Sequence, residues 1–306
     1  MTLKEWHQET RKALSNAKFE NSSQEAKWLL AGALEQDNTF VTLNPTYIPS
    51  PIEEIKIREW LERRLQGEPL SRMKGVREFW SLPFQLNEHT LDPRPETEGI
   101  VEGVLHGVKA HLTEAWRILD FGTGSGCILV ALLHELKNAT GIGIDINEET
   151  LSMAHTNAVL NKVDARATFL KSNWGDALKG SFDIIVSNPP YIPLNQKETL
   201  DKGVRNYDPP EALFAGEDGL DYYRILSREI KRFLSPKGFT VLEIGAGQRR
   251  DVEKIFQNAG FTLLFILKDL AGIERVLGME LMCPLMQPLF GKKTSTDITS
   301  EENGCL

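Results

Sequence analysis

The residues with the most chemistry to offer stand together at Asn188-Pro189-Pro190-Tyr191. Two successive prolines remove two backbone donors and fix φ, and Pro190 holds Pro189 extended, so the segment is stiff. The Asn188 side-chain oxygen and the Pro189 carbonyl are then two acceptors, each able to take one N–H of a planar amino group while the Tyr191 ring covers its flat face. The bland alternative is a rigid turn in which Asn188 only ends a strand. Three further clusters could hold a ligand beside it. In Gly122-Thr123-Gly124-Ser125-Gly126 the glycines allow a tight turn and a close approach to the amides of a following helix. A Gly-x-Gly pattern is weak by itself, and a dinucleotide fingerprint would want Gly or Ala where this chain has Cys127. Asp145, about twenty residues further on, can accept both hydroxyls of a ribose; capping the next helix, its competing role, falls more naturally to Asn147. Asn173 and Trp174 offer an amide and an aromatic ring to the edge and face of a purine, or Trp174 is simply core.

These clusters need a common edge, and the hydrophobic pattern supplies one. Residues 182–187 are a mostly apolar, β-branched run bounded by Gly180 and the double proline, the pattern of a buried parallel strand that must stop at Asn188. From about residue 116 strands and helices alternate. Strands are expected at 117–121, 141–146, 167–172, 182–187, 239–244, 262–267 and 274–281, with helices at 127–138, 148–160, 219–234 and 249–259. This is a doubly wound α/β domain of seven strands, and each chemical cluster falls at the carboxyl end of a strand, where open α/β sheets bind ligands. A Pro- and charge-rich excursion, 192–217, follows the central strand. The polar stretch 289–306 is expected to be disordered.

Residues 1–75 carry helical spacing instead: Trp6, Ala13 and Leu14; then Ala26, Leu29, Leu30, Ala33 and Leu34; then Ile52, Ile55, Trp60, Leu61 and Leu65. Ser22 to Glu25 offers a capping box, and Trp6, Trp28 and Trp60 are expected in the core. Residues 76–95 read as a β-hairpin around Pro83 and a stiff linker, with Arg94 and Glu96 between prolines where they could close over a cofactor. The expected organisation is a helical domain 1–75, the hairpin and linker 76–95, the α/β domain 96–288 and the tail 289–306.

With 306 residues and 41% hydrophobic content, two domains are the default. No apolar run has transmembrane length, and the first residues lack a secretory h-region, so a cytoplasmic protein is expected. Cys127, Cys283 and Cys305 show no paired spacing, which argues against disulfides and zinc. A net charge of −8 opposes non-specific nucleic-acid binding, and residues 1–80 balance twelve Lys and Arg against twelve Asp and Glu.

The four strand ends in succession resemble the class I S-adenosylmethionine-dependent methyltransferases, and Asn-Pro-Pro-Tyr resembles those that methylate planar amino nitrogens. Four other motifs narrow the match: Val76-Arg77-Glu78-Phe79-Trp80, Pro93-Arg94-Pro95-Glu96-Thr97-Glu98, Asp208-Pro209-Pro210-Glu211-Ala212-Leu213, and Asp269, Gly272 and Arg275 at fixed spacing. Together they look like the release-factor glutamine methyltransferases of the HemK/PrmC family, over roughly residues 1–282. The resemblance implies a Rossmann-like methyltransferase sheet and transfer of a methyl group to the N5 amide nitrogen of the glutamine in the Gly-Gly-Gln loop of class 1 peptide chain release factors. It implies S-adenosyl-L-methionine held by Gly122, Thr123, Gly124, Ser125, Gly126, Asp145 and Trp174 together with Asn188. Asn188, Pro189, Pro190 and Tyr191 would hold the substrate glutamine and serve catalysis, with no metal. The family often has Asp where this chain has Asn173. The helical domain would recognise the release factor, and a monomer without membrane or nucleic-acid partners is expected. The competing readings are an N6-adenine or N2-guanine nucleic-acid methyltransferase, which the same clamp would serve, and a non-catalytic cofactor-binding adaptor.

Overall fold

The computed structural model describes residues 1–282. The tail expected at 289–306, with Cys283 and Cys305, lies outside the described residues. The chain divides into two compact units, Met1–Val76 with Leu200–Tyr207, and Arg77–Thr199 with the chain from Asp208. The segment 200–207, part of the excursion that follows the central strand, thus belongs to the first unit.

The first unit contains α1 (Leu3–Asn16), α2 (Ser22–Ala33), α3 (Asn38–Leu43), α4 (Pro51–Leu65) and α5 (Leu70–Lys74) around a core that includes Trp6, Leu29, Leu30, Ile57 and Trp60. Two reciprocal capping boxes start its main helices. Thr2 and Glu5 exchange bonds of 2.7 and 3.4 Å ahead of α1, and Ser50 and Glu53 do the same ahead of α4. The box expected from Ser22 to Glu25 does not form. Asn21 caps α2 in the left-handed region without a side-chain bond, and Glu25 pairs instead with Arg64 at 2.7 Å. Trp28 is 40% exposed and Ile52 and Ile55 are 79% and 58% exposed, against expectation. Helical geometry explains this: at about 100° per residue Trp28 lies about 160° round from Ala26, and Ile52 and Ile55 about 140–160° round from Ile57. Only one face of each helix reaches the core.

The second unit opens with a hairpin of β1 (Val76–Phe79) and β2 (Leu82–Gln85). Its turn is Trp80-Ser81, with both residues at positive φ (53° and 56°), as a tight two-residue hairpin demands. Pro83, expected in the turn, lies in β2, where a two-stranded ribbon leaves its missing donor unused. After a 3₁₀ turn at Pro95–Thr97 come α6 (Glu98–Val108), β3 (Arg117–Phe121), α7 (Cys127–Glu135), β4 (Thr140–Asp145), α8 (Glu148–Leu160), β5 (Ala167–Lys171) and β6 (Phe182–Ser187). Then follow α9 (Lys202–Tyr207, in the first unit), α10 (Asp221–Phe233), β7 (Leu234–Glu243), α11 (Arg249–Ala259), β8 (Phe261–Lys268) and β9 (Glu274–Leu281).

The seven-stranded sheet has the order β5-β4-β3-β6-β7-β9-β8, parallel except for β9, which runs antiparallel to both neighbours. The order reverses between β3 and β6: the chain runs outward from β3 to β4 and β5, then crosses back to β6 on the far side of β3 and on to β7. One face is covered by α6 and α7 through Ile100, Val104, Leu129 and Val130, packed against Ile118, Ile184 and Val241. The other is covered by α10 and α11 through Tyr223, Leu226, Ile230 and Phe256, packed against Leu119, Ile185 and Leu242. Burial on both faces is why these strands read as continuous apolar runs.

Asn157 on α8 is fully buried and joins three segments. Its Oδ1 accepts from the Gln85 amide (2.7 Å), and its Nδ2 donates to the carbonyls of Gln85 (3.0 Å) and Ser125 (2.9 Å). Replacing it with Ala strands buried donors and acceptors on both β2 and the glycine loop. The expected loss is about 2–4 kcal/mol of unfolding free energy, measurable by denaturant titration.

Candidate active site

Strand register brings the chemical clusters to one edge. Phe121 pairs with Ile144 on one side and Ser187 on the other, and Ser187 pairs with Leu242. Asp145, Gly122, Asn188 and Glu243 therefore follow one another across the carboxyl ends of β4, β3, β6 and β7. The Ser187 hydroxyl donates to the Phe121 carbonyl at 2.8 Å and ties the two central ends together.

Gly122, Gly124 and Gly126 all have positive φ, 68°, 57° and 79°. A Cβ on Gly122 or Gly124 would meet no atom closer than 4.0 Å, so the space over the loop is open, whereas one on Gly126 would stand 3.1 Å from the Ala154 side chain of α8. The first two glycines thus serve backbone shape and access to a ligand, and the third also serves packing. Ser125 and Thr123 are buried. The Thr123 hydroxyl donates to Oδ2 of Asp120 at 2.7 Å, while Oδ1 of this fully buried carboxylate has no partner. Burial pushes the Asp120 carboxyl up to about 7, against the opposing Thr123 bond. An acceptor orphaned beneath a glycine loop suits a cationic group such as an ammonium.

Asp145 accepts from the Gly124 amide through Oδ2 and from the Asn147 amide through Oδ1, both at 3.1 Å. Each oxygen keeps a lone pair for a further donor. Burial raises its carboxyl above the usual range despite those amides. Asn147 is the cap of α8, its Oδ1 accepting from Glu149 and Thr150. Trp174 is partly buried at positive φ (54°), with its ring 6.3 Å from Phe121 and 5.5 Å from Tyr222. It packs on the core and still has an outer face, while Asn173 is exposed.

Around the double proline the side chains form one connected group. Asn188 Nδ2 donates to Thr97 Oγ1 at 3.0 Å, which turns the amide oxygen away from Thr97. The Tyr191 hydroxyl donates to Glu243 Oε1 at 3.2 Å, and the Tyr223 hydroxyl donates to the Glu243 carbonyl at 3.0 Å. Glu243 is fully buried, and burial pushes its carboxyl up to about 7, opposed by Thr97, Tyr191 and Arg275. Its Oε2 has no hydrogen-bond partner. Burial and the neighbouring Glu243 hold the Tyr191 phenol well above its ordinary range, so it remains a donor. Gln248 closes the loop: its Nε2 donates to the carbonyls of Tyr191 (2.9 Å) and Gly219 (3.3 Å), and its Oε1 accepts from Gly245.

Arg94 does not lie free over the sheet edge. It pairs with Asp208, whose Oδ1 also accepts from the Asp92 amide at 3.4 Å, while Arg77 stands 3.7 Å from Asp92. Three of the sequence motifs are thereby one ionic cluster. The fourth is a turn in which Asp269 accepts from Ala271, Ile273 and Arg275, each at 2.9 Å. Cys127, pushed up to about 12 by burial, is no nucleophile.

Sequence reasoning passed over Thr97, Asp120, Glu243 and Gln248 as site residues. Two of them had a visible signal: Asp120 and Glu243 are carboxylates inside otherwise apolar strand runs, Ile-Leu-Asp-Phe and Val-Leu-Glu-Ile.

Known proteins resemble this chain in both units. A family described as a PrmC N-terminal domain matches residues 5–75, and one described as a methyltransferase domain matches residues 112–246. The release factor glutamine methyltransferase of Agrobacterium fabrum is 42% identical over 269 residues, covering 87% of this chain and 93% of that one. The protein of the same name from Caulobacter vibrioides is 40% identical over 276 residues, covering 90% and 94%. Among solved structures, the catalytic domain of hMettl16, in complex with the MAT2A 3′UTR hairpin 6, shares the fold at 15% identity and a TM-score of 0.54, over 68% of this chain and 79% of that one. The cofactor of such methyltransferases is S-adenosylmethionine, and this edge suits it: open space over left-handed glycines, an orphaned acid oxygen below, and a carboxylate with spare lone pairs at the next strand end.

Asp145→Ala removes that carboxylate while leaving Asn147 to cap α8. Calorimetry is expected to show S-adenosylmethionine affinity reduced by about 1.5–3 kcal/mol, roughly ten- to 150-fold, with unfolding little changed.

Proposed function

Because the chain belongs to the release factor glutamine methyltransferase family, we propose that it transfers a methyl group to the N5 side-chain nitrogen of the glutamine in the Gly-Gly-Gln loop of class 1 peptide chain release factors. The observation that carries this reading is the donation from Asn188 Nδ2 to Thr97. With its NH2 so engaged, Asn188 offers its oxygen, and the Pro189 carbonyl is the second acceptor of a clamp that fits the two N–H groups of a carboxamide.

A carboxamide nitrogen is a poor nucleophile because its lone pair is delocalised into its carbonyl. S-adenosylmethionine supplies the methyl group on a sulfonium centre already activated for transfer. What the protein adds is geometry and charge. Asn188 and Pro189 hold both N–H bonds in one plane, orient the nitrogen for in-line attack and favour the positive charge it develops. Tyr191, fixed through its hydroxyl by Glu243 and through its carbonyl by Gln248, bounds the site. Gly122, Thr123, Gly124, Ser125 and Gly126 would hold the methionine part of the cofactor, Asp120 its ammonium, Asp145 the ribose and Trp174 the adenine. The N-terminal helices, which match the PrmC N-terminal domain, would recognise the release factor as one monomer meeting another. The even charge balance of that region supports a protein partner over a nucleic acid. Release factors act in translation, so the reaction belongs in the cytoplasm; among the described residues no helix is long and apolar enough to cross a membrane.

Mass spectrometry of a release factor incubated with the enzyme and labelled cofactor tests the reading. The expected product carries one methyl on the glutamine of that loop; a methyl elsewhere, or on nucleic acid alone, contradicts it. Asn188→Ala is expected to lower kcat about a hundredfold while cofactor affinity, measured by calorimetry, stays within about twofold of wild type.

A further inference from the structure

We infer that Gln248 is a positioning residue of the amide site: from the turn that follows β7 it fixes where the Tyr191 ring lies, and through that ring it governs turnover of the substrate while leaving cofactor binding alone. The inference rests on the proposed glutamine clamp and goes beyond it, because Gln248 is outside both the clamp and the residues proposed to hold the cofactor.

Two prolines stiffen the segment after β6 but do not anchor it, since neither has an N–H with which to bind a neighbour. Tyr191 takes its place from the adjacent strand end instead. Its hydroxyl donates at 3.2 Å to Oε1 of Glu243, the last residue of β7. Its carbonyl accepts from Gln248 Nε2 at 2.9 Å. Its ring edge lies against Gly245, where an added Cβ would stand 3.1 Å from Cδ2. One turn, Glu243 to Gln248, thus holds the hydroxyl, the ring and the main chain of Tyr191. A ring displaced by about 1 Å no longer covers the flat face of the amide, and a misplacement of that size costs a reaction about a hundredfold.

Gln248 can hold Tyr191 only with its nitrogen, and its own turn decides that. The Gln248 main-chain amide donates to the Gly245 carbonyl at 3.1 Å, and the side chain folds back so that Oε1 accepts from the Gly245 amide at 3.0 Å. A backbone N–H cannot accept, so it must meet the oxygen. Nε2 is then directed at two carbonyls, those of Tyr191 and, at 3.3 Å, of Gly219 ahead of α10. Reversing the amide would set oxygen against both carbonyls and nitrogen against an N–H. The fit is also close. A Cβ on Gly245 would lie 2.6 Å from Gln248 Oε1, and one on Gly219 would collide with the Tyr191 carbonyl oxygen and lie 2.8 Å from Nε2. Gly219 and Gly245 are buried, whereas Gln248 is half-buried, so water can take over the bonds of a shortened or altered side chain. Its loss therefore frees the chain just past the clamp rather than opening the core.

Two variants of the full-length enzyme test the inference. Gln248→Met keeps the length of the side chain and loses its three bonds; Gln248→Glu keeps an acceptor for Gly245 and sets oxygen against the two carbonyls. Each is made in the wild-type and in a Tyr191→Ala background, and measured for kcat and KM with release factor, for S-adenosylmethionine affinity by calorimetry and for the denaturant midpoint. With Tyr191 present, both are expected to lower kcat/KM for release factor at least about tenfold while cofactor affinity stays within about twofold of wild type. In Tyr191→Ala, itself slow, the same substitutions are expected to change kcat/KM by less than about twofold, because the ring through which Gln248 acts is gone. Wild-type kcat/KM in both variants overturns the inference, as does the same fold loss with and without the Tyr191 ring. Loss of the fold or of cofactor affinity in both variants overturns it too, since Gln248 then holds the structure and not the ring; where only one variant fails to fold, the other decides. If wild type itself leaves glutamine unmethylated, it is the proposed function that falls; if wild type methylates and the variants match it, only the role of Gln248 falls.

Discussion

The hydrogen bond from Asn188 Nδ2 to Thr97 Oγ1 decides whether the edge of the sheet presents an acceptor or a donor to whatever enters. A planar amino group offers two N–H bonds and a lone pair withdrawn into its own π-system, so a protein can hold it firmly only with oxygens. In the proposed clamp the double proline contributes one by removing competing amides beside the Pro189 carbonyl, and Asn188 contributes the other only while its nitrogen is occupied. In a partly buried site an unmatched polar contact costs more than in water, which is why this single orientation carries so much.

The rest of the unit exists to hold that geometry still. Registration of β3 with β4 and β6, and of β6 with β7, sets Gly122, Asp145, Asn188 and Glu243 along one line without any of them having to reach. The 3₁₀ turn that carries Thr97 leads directly into α6, whose Ile100 and Val104 are fully buried in the core beside Val241, so its position is fixed by packing. On the far side Gln248 pins the exit of the loop with three hydrogen bonds, and Asn157 pins the carbonyl of Ser125 from behind. The glycine turn and the proposed amide clamp end up adjacent because β3 and β6 are adjacent, at the point where the strand order reverses.

Much of this was legible from residue types alone, because the central strands are buried on both faces and advertise themselves as apolar runs, while the edge strands β5 and β8 follow the same alternation with helices. The α/β architecture and all seven strands could be read from that pattern, and the glycine turn from its three glycines. The short helices α3 and α5, six and five residues long, were not legible, since so few residues set no period. Nor was the exposure of Ile52 and Ile55, because apolar residues on two faces of α4 do not say which face meets α2. At the site, Asn188, Asp145 and the glycines could be named because chemistry and position coincide at strand ends. Thr97 escaped because a threonine between two glutamates signals only a helix start. Glu243 escaped because its surroundings are set by a hydrogen bond from the Tyr191 hydroxyl, 52 positions earlier, which no local pattern encodes.

The clamp can be observed directly on the substrate. A release factor labelled with ¹⁵N in its glutamine side chains, bound to the enzyme together with the demethylated cofactor, reports both N–H protons of the target amide by NMR. If Asn188 Oδ1 and the Pro189 carbonyl each accept one, both proton resonances move downfield on binding and the shift of one is lost in Asn188→Ala. Movement of neither proton, or of one that persists in Asn188→Ala, would contradict a two-acceptor clamp at this sheet edge.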